Sequence, residues 1–228
     1  MEKRKIGGFG YRIIRFAMWP VYRKPKFVGI ENITEPTVII SNHVKSRGPV
    51  LYCQFFPYKF ALWATHEICE NLRSCFHYLR DAYFAGKLKW NRFFATVVGF
   101  VGAPLVHSVL KLALSIPVYR DKRLIKTIKS SFDAYKEGNS IVLFPEDSVN
   151  DGYDEKPKNY LIGFVIMCEY FLKKGVDVPL APANIKVKKR KIFFGEVERF
   201  SEISEKCGGD RQAIADYIRD KSNSLGGE

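Results

Sequence analysis

Val38 to Val50 reads VIISNHVKSRGPV, an apolar run that ends in Asn42-His43 and passes through Lys45 and Arg47 to Gly48-Pro49. A histidine at the mouth of a buried strand has the intrinsic pKa of a general base near neutral pH. None of the eight residues after it is a carboxylate that could orient the ring. Two other segments end in the same way. In IVLFPED, Glu146 stands just past an apolar run, and in IPVYRD, Arg120 follows a short apolar segment and precedes a helix. A guanidinium can clasp a phosphate through two parallel hydrogen bonds. Lys45 and Arg47, on either side of the His43 loop, are further candidates to hold an anion. A base, a carboxylate and an anion clamp therefore stand where α/β proteins build their sites, in loops beyond the strand ends.

The elements that must position these residues alternate in type. KFVGIENI and PTVIISN read as strands separated by a turn at Thr34-Glu35-Pro36, and NSIVLFPED, DVPLAPANI and KKRKIFFGEV read as later strands. The β-branched run before Asn42 fits a strand buried on both faces. In VPLAP, two prolines flank a short apolar step, which suggests a rigid lining element. Helical spacing appears around Val50–Phe56, from His66 to Tyr83, over Leu124–Tyr135 (closing at Glu137-Gly138-Asn139), over Leu161–Lys174 and over Asp210–Leu225. The expected fold class is α/β, a mainly parallel central sheet flanked by helices. Two regions are expected, an N-terminal helix over 1–24 and a single domain over 25–228.

Two segments bear on membranes. Residues 3–24 open with Lys3-Arg4-Lys5 and place Phe9, Ile13 and Phe16 at helical spacing with Arg12 and Arg15 between them. A basic amphipathic helix of this kind suits a membrane interface, and packing on its own domain is the alternative. Phe93–Leu110 runs for eighteen residues without a formal charge, the length of a transmembrane helix. Gly99, Gly102 and Pro104 break the pattern and His107 is polar, so the reading is a buried or interfacial element, with a true span as the alternative.

Composition narrows the partners. The 228 residues carry a net charge of +13, with 46% hydrophobic and 14% aromatic residues. This balance favours an anionic partner such as lipid headgroups or phosphorylated molecules. Nucleic acid is not expected, because no helix-turn-helix, zinc finger or RNP-like motif accompanies the charge. The five cysteines are odd in number and form no CxxC pair, which reads as reduced thiols in a cytosolic or cytosol-facing protein. No secretory signal is read at the start, since Arg12 and Arg15 interrupt the first apolar stretch. Lys186 to Lys191, KVKKRK, reads as a solvated hairpin turn or a headgroup patch. His66 and His77 read as ordinary helix residues, and His107 as a buried, hydrogen-bonded one.

Four blocks in order resemble the glycerolipid acyltransferase family typified by 1-acylglycerol-3-phosphate O-acyltransferases. NHVKSRG is similar to its Asn-His-x4-Asp block, IPVYR to its arginine block, FPED to its Phe-Pro-Glu-Gly block and VPLAP to its late Val-Pro-apolar-x-Pro block. The resemblance runs from about Phe27 to the final strand. It implies direct acyl transfer with no acyl-enzyme, and no metal or cofactor beyond the acyl-CoA or acyl carrier protein co-substrate. His43 would take the proton of a lysophospholipid hydroxyl, Arg120 would hold its phosphate and Glu146 would position its glycerol end. It also implies a membrane-associated protein on the cytoplasmic face.

The match departs from the family in two places. Gly48 stands where the family has its aspartate, and Asp147 stands where it has a glycine. Three readings stay open. Asp147, or Asp151 in the same acidic stretch, supplies the carboxylate in space. A backbone carbonyl or water orients His43. Or the chain binds lipid without transferring an acyl group.

Overall fold

The computed structural model describes residues 23–45, 47–146 and 155–227. The expected helix over residues 3–24 and the candidates Asp147 and Asp151 lie outside them, apart from the helix's last two residues.

Eight strands form one sheet: β1 (Lys26–Val28), β2 (Val38–Ser41), β3 (Phe60–Thr65), β4 (Ser115–Val118), β5 (Ser140–Leu143), β6 (Pro179–Lys186), β7 (Lys191–Phe194) and β8 (Glu198–Arg199). Their order is β1-β7-β6-β2-β5-β3-β4, with β8 also paired to β6. Only the β6–β7 and β6–β8 pairings are antiparallel. The remaining pairings are parallel, as the buried β-branched runs require. The architecture is therefore the expected α/β, with helices on both faces of the sheet.

The helices are α1 (Arg47–Phe55), α2 (His66–Cys69), α3 (Leu72–His77), α4 (Arg92–Leu112), α5 (Leu124–Lys136), α6 (Gly163–Lys173), α7 (Phe200–Lys206) and α8 (Arg211–Ser224). A wide π-type turn segment, Tyr78–Lys87, continues α3. Successive residues of the central strands serve opposite cores. Val38, Ile40, Ile141 and Leu143 pack beneath α5, α6 and α8, whereas Ile39, Leu62 and Val142 pack with Leu51, Tyr52 and Phe55 of α1 and Leu110 of α4.

Three expectations change. The helix expected from His66 to Tyr83 breaks at Glu70-Asn71, because the Asn71 side chain accepts from the backbone N–H of Ser74 and starts α3 afresh. VPLAP is a central strand and not a lining element: every residue of β6 is buried. Its Pro182 is tolerated because β8 pairs with Pro179 and Leu180 and β7 with Ala183 to Lys186. The missing donor falls in the gap between those two stretches, where Pro182 still accepts from Gly195 N at 2.8 Å. Finally, α4 is one continuous helix through Gly99, Gly102 and Pro104.

Candidate active site

β2, β5, β3 and β4 are neighbours and all parallel. Their C-terminal ends therefore share one edge of the sheet, and His43, Glu146, His66 and Arg120 all follow strands that end there. Sequence alone could not give this order.

His43 and Glu146 meet directly. The backbone N–H of His43 donates to Glu146 Oε1 at 2.6 Å. Glu146 is itself buried and is held by a backbone bridge to Tyr160 and by Leu161 N donating to Pro145 O at 2.7 Å. Phe144 packs edge-on against the imidazole, with ring centroids 5.2 Å apart. The Phe-Pro-Glu segment thus does two mechanical jobs, walling the ring and fixing the backbone beneath it.

Asn42 holds the other side. Its Oδ1 accepts from Ile185 N at 2.6 Å, and its Nδ2 donates to Ile185 O at 3.2 Å and Glu155 O at 3.1 Å. These bonds tie the end of β2 to β6 just before the histidine. Asn184 completes the tie by donating to Ser222 O at 3.0 Å and Glu155 O at 3.2 Å. Sequence reading missed this role. The available signal was a buried-strand asparagine, a residue type that needs partners when water is excluded.

Immediately after His43 the chain makes an unusual turn. Val44 (φ 45°) and Lys45 (φ 60°) both take the left-handed conformation, which costs a non-glycine residue about 1–2 kcal/mol and is rare for a β-branched one. Gly48 N then donates to His43 O at 2.9 Å, and α1 begins. A Cβ at position 48 would lie 2.6 Å from His43 O and 3.0 Å from Asn42 O. The backbone closes over this position, so no side chain fits there unless the loop moves.

Burial, reinforced by the nearby Lys87 ammonium, holds the His43 pKa down at about 4. The ring is therefore neutral at pH 7 and able to accept a proton. Lys87 comes from the end of the π-type segment and was not a candidate from sequence. Lys186 was read as part of a solvated turn, but it is buried at the end of β6, and that burial lowers its pKa. The turn proper is Val187–Arg190.

Arg120 lies on the same edge but not beside His43. Three strand steps separate β2 from β4, about 14 Å at the usual spacing. Arg120 is exposed and makes no hydrogen bond or ion pair among the described residues, in contrast to Arg123, which forks onto Asp121 (Nη2 to Oδ2 2.8 Å) and lies 4.4 Å over the Tyr119 ring. Thr127 sets the turn that presents Arg120. Its Oγ1 donates to Pro117 O at 2.7 Å and accepts from Tyr119 N at 3.2 Å. Lys45 and Arg47 are exposed at the entrance to α1. The edge therefore holds a neutral, partly buried imidazole, a carboxylate bracing it and several exposed cations.

The crystal structure of the 1-acyl-sn-glycerophosphate (LPA) acyltransferase PlsC from Thermotoga maritima superposes on this chain with a TM-score of 0.52, covering 96% of this chain and 81% of that one at 16% sequence identity. The fold is shared with an acyltransferase. No protein-family model and no curated protein sequence matches the chain. The likeness accordingly rests on the three-dimensional fold.

The histidines read as ordinary have local partners. His66 stacks at 5.0 Å on Tyr119. His77 is exposed beside Arg80, at 3.1 Å. His107, half-buried, has Nδ1 3.3 Å from Ile68 O.

Proposed function

We propose that the chain is a membrane-associated acyltransferase of glycerolipid synthesis. It moves a fatty-acyl group from acyl-CoA or acyl carrier protein to the hydroxyl of a lysophospholipid such as 1-acylglycerol 3-phosphate, at the cytoplasmic face. The observation that carries this reading is the contact of the Glu146 carboxylate with the His43 backbone at the cation-rich edge of the sheet, on a fold shared with an acyltransferase. In the step, neutral His43 takes the proton of the acceptor hydroxyl, and the oxygen attacks the thioester carbonyl. The C–S bond breaks, and the thiolate leaves with the proton returned by the imidazolium. General-base assistance of this kind is worth on the order of 10²–10⁴ in rate. Arg120, Lys45 and Arg47 supply charge for the phosphates of acceptor and donor. Asp147 takes the part of the orienting carboxylate.

A second reading has its own observation. The backbone closes over position 48, where a Cβ would lie 2.6 Å from His43 O, and this crowding where the resembled block has its aspartate favours a lipid-binding protein without transfer. One experiment separates the two. Purified protein is incubated with acyl-CoA and acyl carrier protein thioesters and a panel of lysophospholipids, and products are read by mass spectrometry. The acyltransferase gives diacyl product that His43→Ala abolishes, and Asp147→Asn lowers kcat with little change in KM. If His43→Ala retains the product, the proposed base is wrong. If wild type makes none while still binding the lysophospholipid, the second reading stands.

A further inference from the structure

Helix α4 is built the wrong way round for water. From Ala95 to Ala103 the face turned to the rest of the molecule carries small residues: Ala95 and Ala103 are fully buried and Gly99 is buried beside the Phe76 ring, with larger Val106 and Leu110 turned inward only towards the helix's end. The face turned outward carries the large ones. Phe93 is 70% exposed, Phe100 75% and Val101 72%, with Val97 and Leu105 beside them. Only 22% of its apolar stretch is buried, at a mean hydropathy of 1.9. Monomers in water rarely expose a contiguous apolar patch of this kind. Small residues inward and large apolar residues outward is how helices pack within lipid.

We propose that the outer face of α4 is a bilayer-docking surface that enters one leaflet of an anionic membrane. Charge selects this occupant. Lys87, Lys89 and Arg92 are exposed at one end of the helix and Lys111 at the other, and Phe93–Leu110 between them holds no charge. The acidic neighbour, Asp81, is engaged by Arg80 at 2.6 Å and lies only 4.0 Å from Arg92, which stays 80% exposed. Against a second copy of this chain, with basic residues at both ends, like charges would meet across an antiparallel pairing of the two helices. Against anionic headgroups both ends gain. Trp90, half-exposed and stacked at 5.0 Å on Phe84, stands at the end of the helix where an interfacial aromatic belongs.

Insertion into one leaflet follows from connectivity. The 21 residues of α4 measure about 31 Å, enough to cross a bilayer. However, α4 packs along α3 and the π-type segment, and that leg carries Arg73, His77, Arg80 and Asp81. A spanning α4 would carry those charges through the hydrocarbon. The leg departs from the C-terminal end of β3, on the same edge as His43, and its Lys87 acts electrostatically on the His43 ring. Docking through α4 would hold the catalytic edge at headgroup level.

The proposal names the partner of the site proposed above and rests on that reading, but vesicle binding is measured without acyl transfer, so either can fail alone. The full chain is sedimented with phosphatidylcholine vesicles with and without phosphatidic acid. The Phe100→Asp/Val101→Asp variant should bind at least about tenfold more weakly, melt at the wild-type temperature and keep its activity on detergent-dispersed acceptor, if the function stands. In wild type, lipids brominated in the acyl chain should quench the indole emission, and Trp90→Phe should lose most of that quenching. The proposal is overturned by any of three results: wild type does not bind, the double variant binds as well as wild type, or wild type proves to be a dimer that the double variant dissociates. If the double variant fails to fold, Trp90 quenching decides on its own, and absence of quenching overturns the proposal.

Discussion

At pH 7 the imidazole of His43 is neutral because its surroundings disfavour the cation. Burial is the larger cause and the Lys87 ammonium the smaller. Two consequences follow. The acid limb of kcat/KM should fall near pH 4, with no break at 6.5, since the base must be unprotonated in the free enzyme. A limb at 6.5 or above would mean that Asp147, in its proposed part as the orienting carboxylate, stabilises the protonated ring by as much as burial disfavours it. The same shift bears on stability. Between pH 6.5 and 4 the unfolded chain holds a proton on His43 that the folded chain lacks, so stability falls as pH drops through that window, by at most roughly 3 kcal/mol. Thermal melts at pH 7 and pH 5 should show wild type losing stability relative to His43→Ala. Gly48 makes the second residue-scale prediction. Gly48→Asp would complete the resemblance to the Asn-His-x4-Asp block on paper, but its Cβ meets His43 O at 2.6 Å. The variant should lose about 1–3 kcal/mol, the usual cost of overpacking, and should lose activity as well. A Gly48→Asp protein of wild-type stability and raised activity would show that the loop opens.

At the scale of elements, each candidate is held by the element next to it. β6 fixes His43 through Asn42, and α5 fixes Arg120 through Thr127, which bridges Pro117 O and Tyr119 N. Thr127→Val keeps the shape and removes both bonds, leaving a half-buried N–H and C=O to find other partners at a cost of about 1 kcal/mol. If Arg120 is the acceptor clamp, the acceptor's KM should rise while the thioester's changes little. Arg120→Lys should do the same without the loss in melting temperature. Equal rises for both substrates would take Arg120 out of the clamp. The left-handed pair Val44-Lys45 belongs to this scale too. Strain beside a functional group persists only where its surroundings enforce it, and here the β2–β6 tie and the start of α1 do so from either side.

For the whole molecule, the net charge of +13 and the apolar face of α4 act together but respond differently to salt. Raising ionic strength from about 0.1 M to about 1 M shortens the Debye length from roughly 10 Å to 3 Å. The preference for anionic over neutral vesicles should then disappear while a weaker, salt-insensitive association remains. If all association is lost, charge alone carries it and α4 does not enter lipid.

What the sequence determined by itself was whatever is local and periodic. β-branched runs made buried strands at Val38–Ser41 and Ser140–Leu143, the alternation of strand and helix patterns pointed to the α/β class, and the order of His43, Arg120, Glu146 and the VPLAP segment carried the resemblance to glycerolipid acyltransferases. Much of what remained depends on contacts between residues far apart in the chain. That β2 and β5 are neighbours, so that Glu146 reaches the His43 backbone, is set by strand order. β3 reads FALWAT, too short and too mixed to separate from a helix by period alone. Gly99, Gly102 and Pro104 looked like breaks in α4. Glycine costs a helix only about 1 kcal/mol, and here the helix runs on through both glycines and Pro104. The direction in which Phe93 and Phe100 face could not be read from the chain, because an apolar helix shows the same composition buried or exposed. Only the tertiary packing, with Ala95 and Ala103 turned inward, decided which side of the helix was left to the solvent.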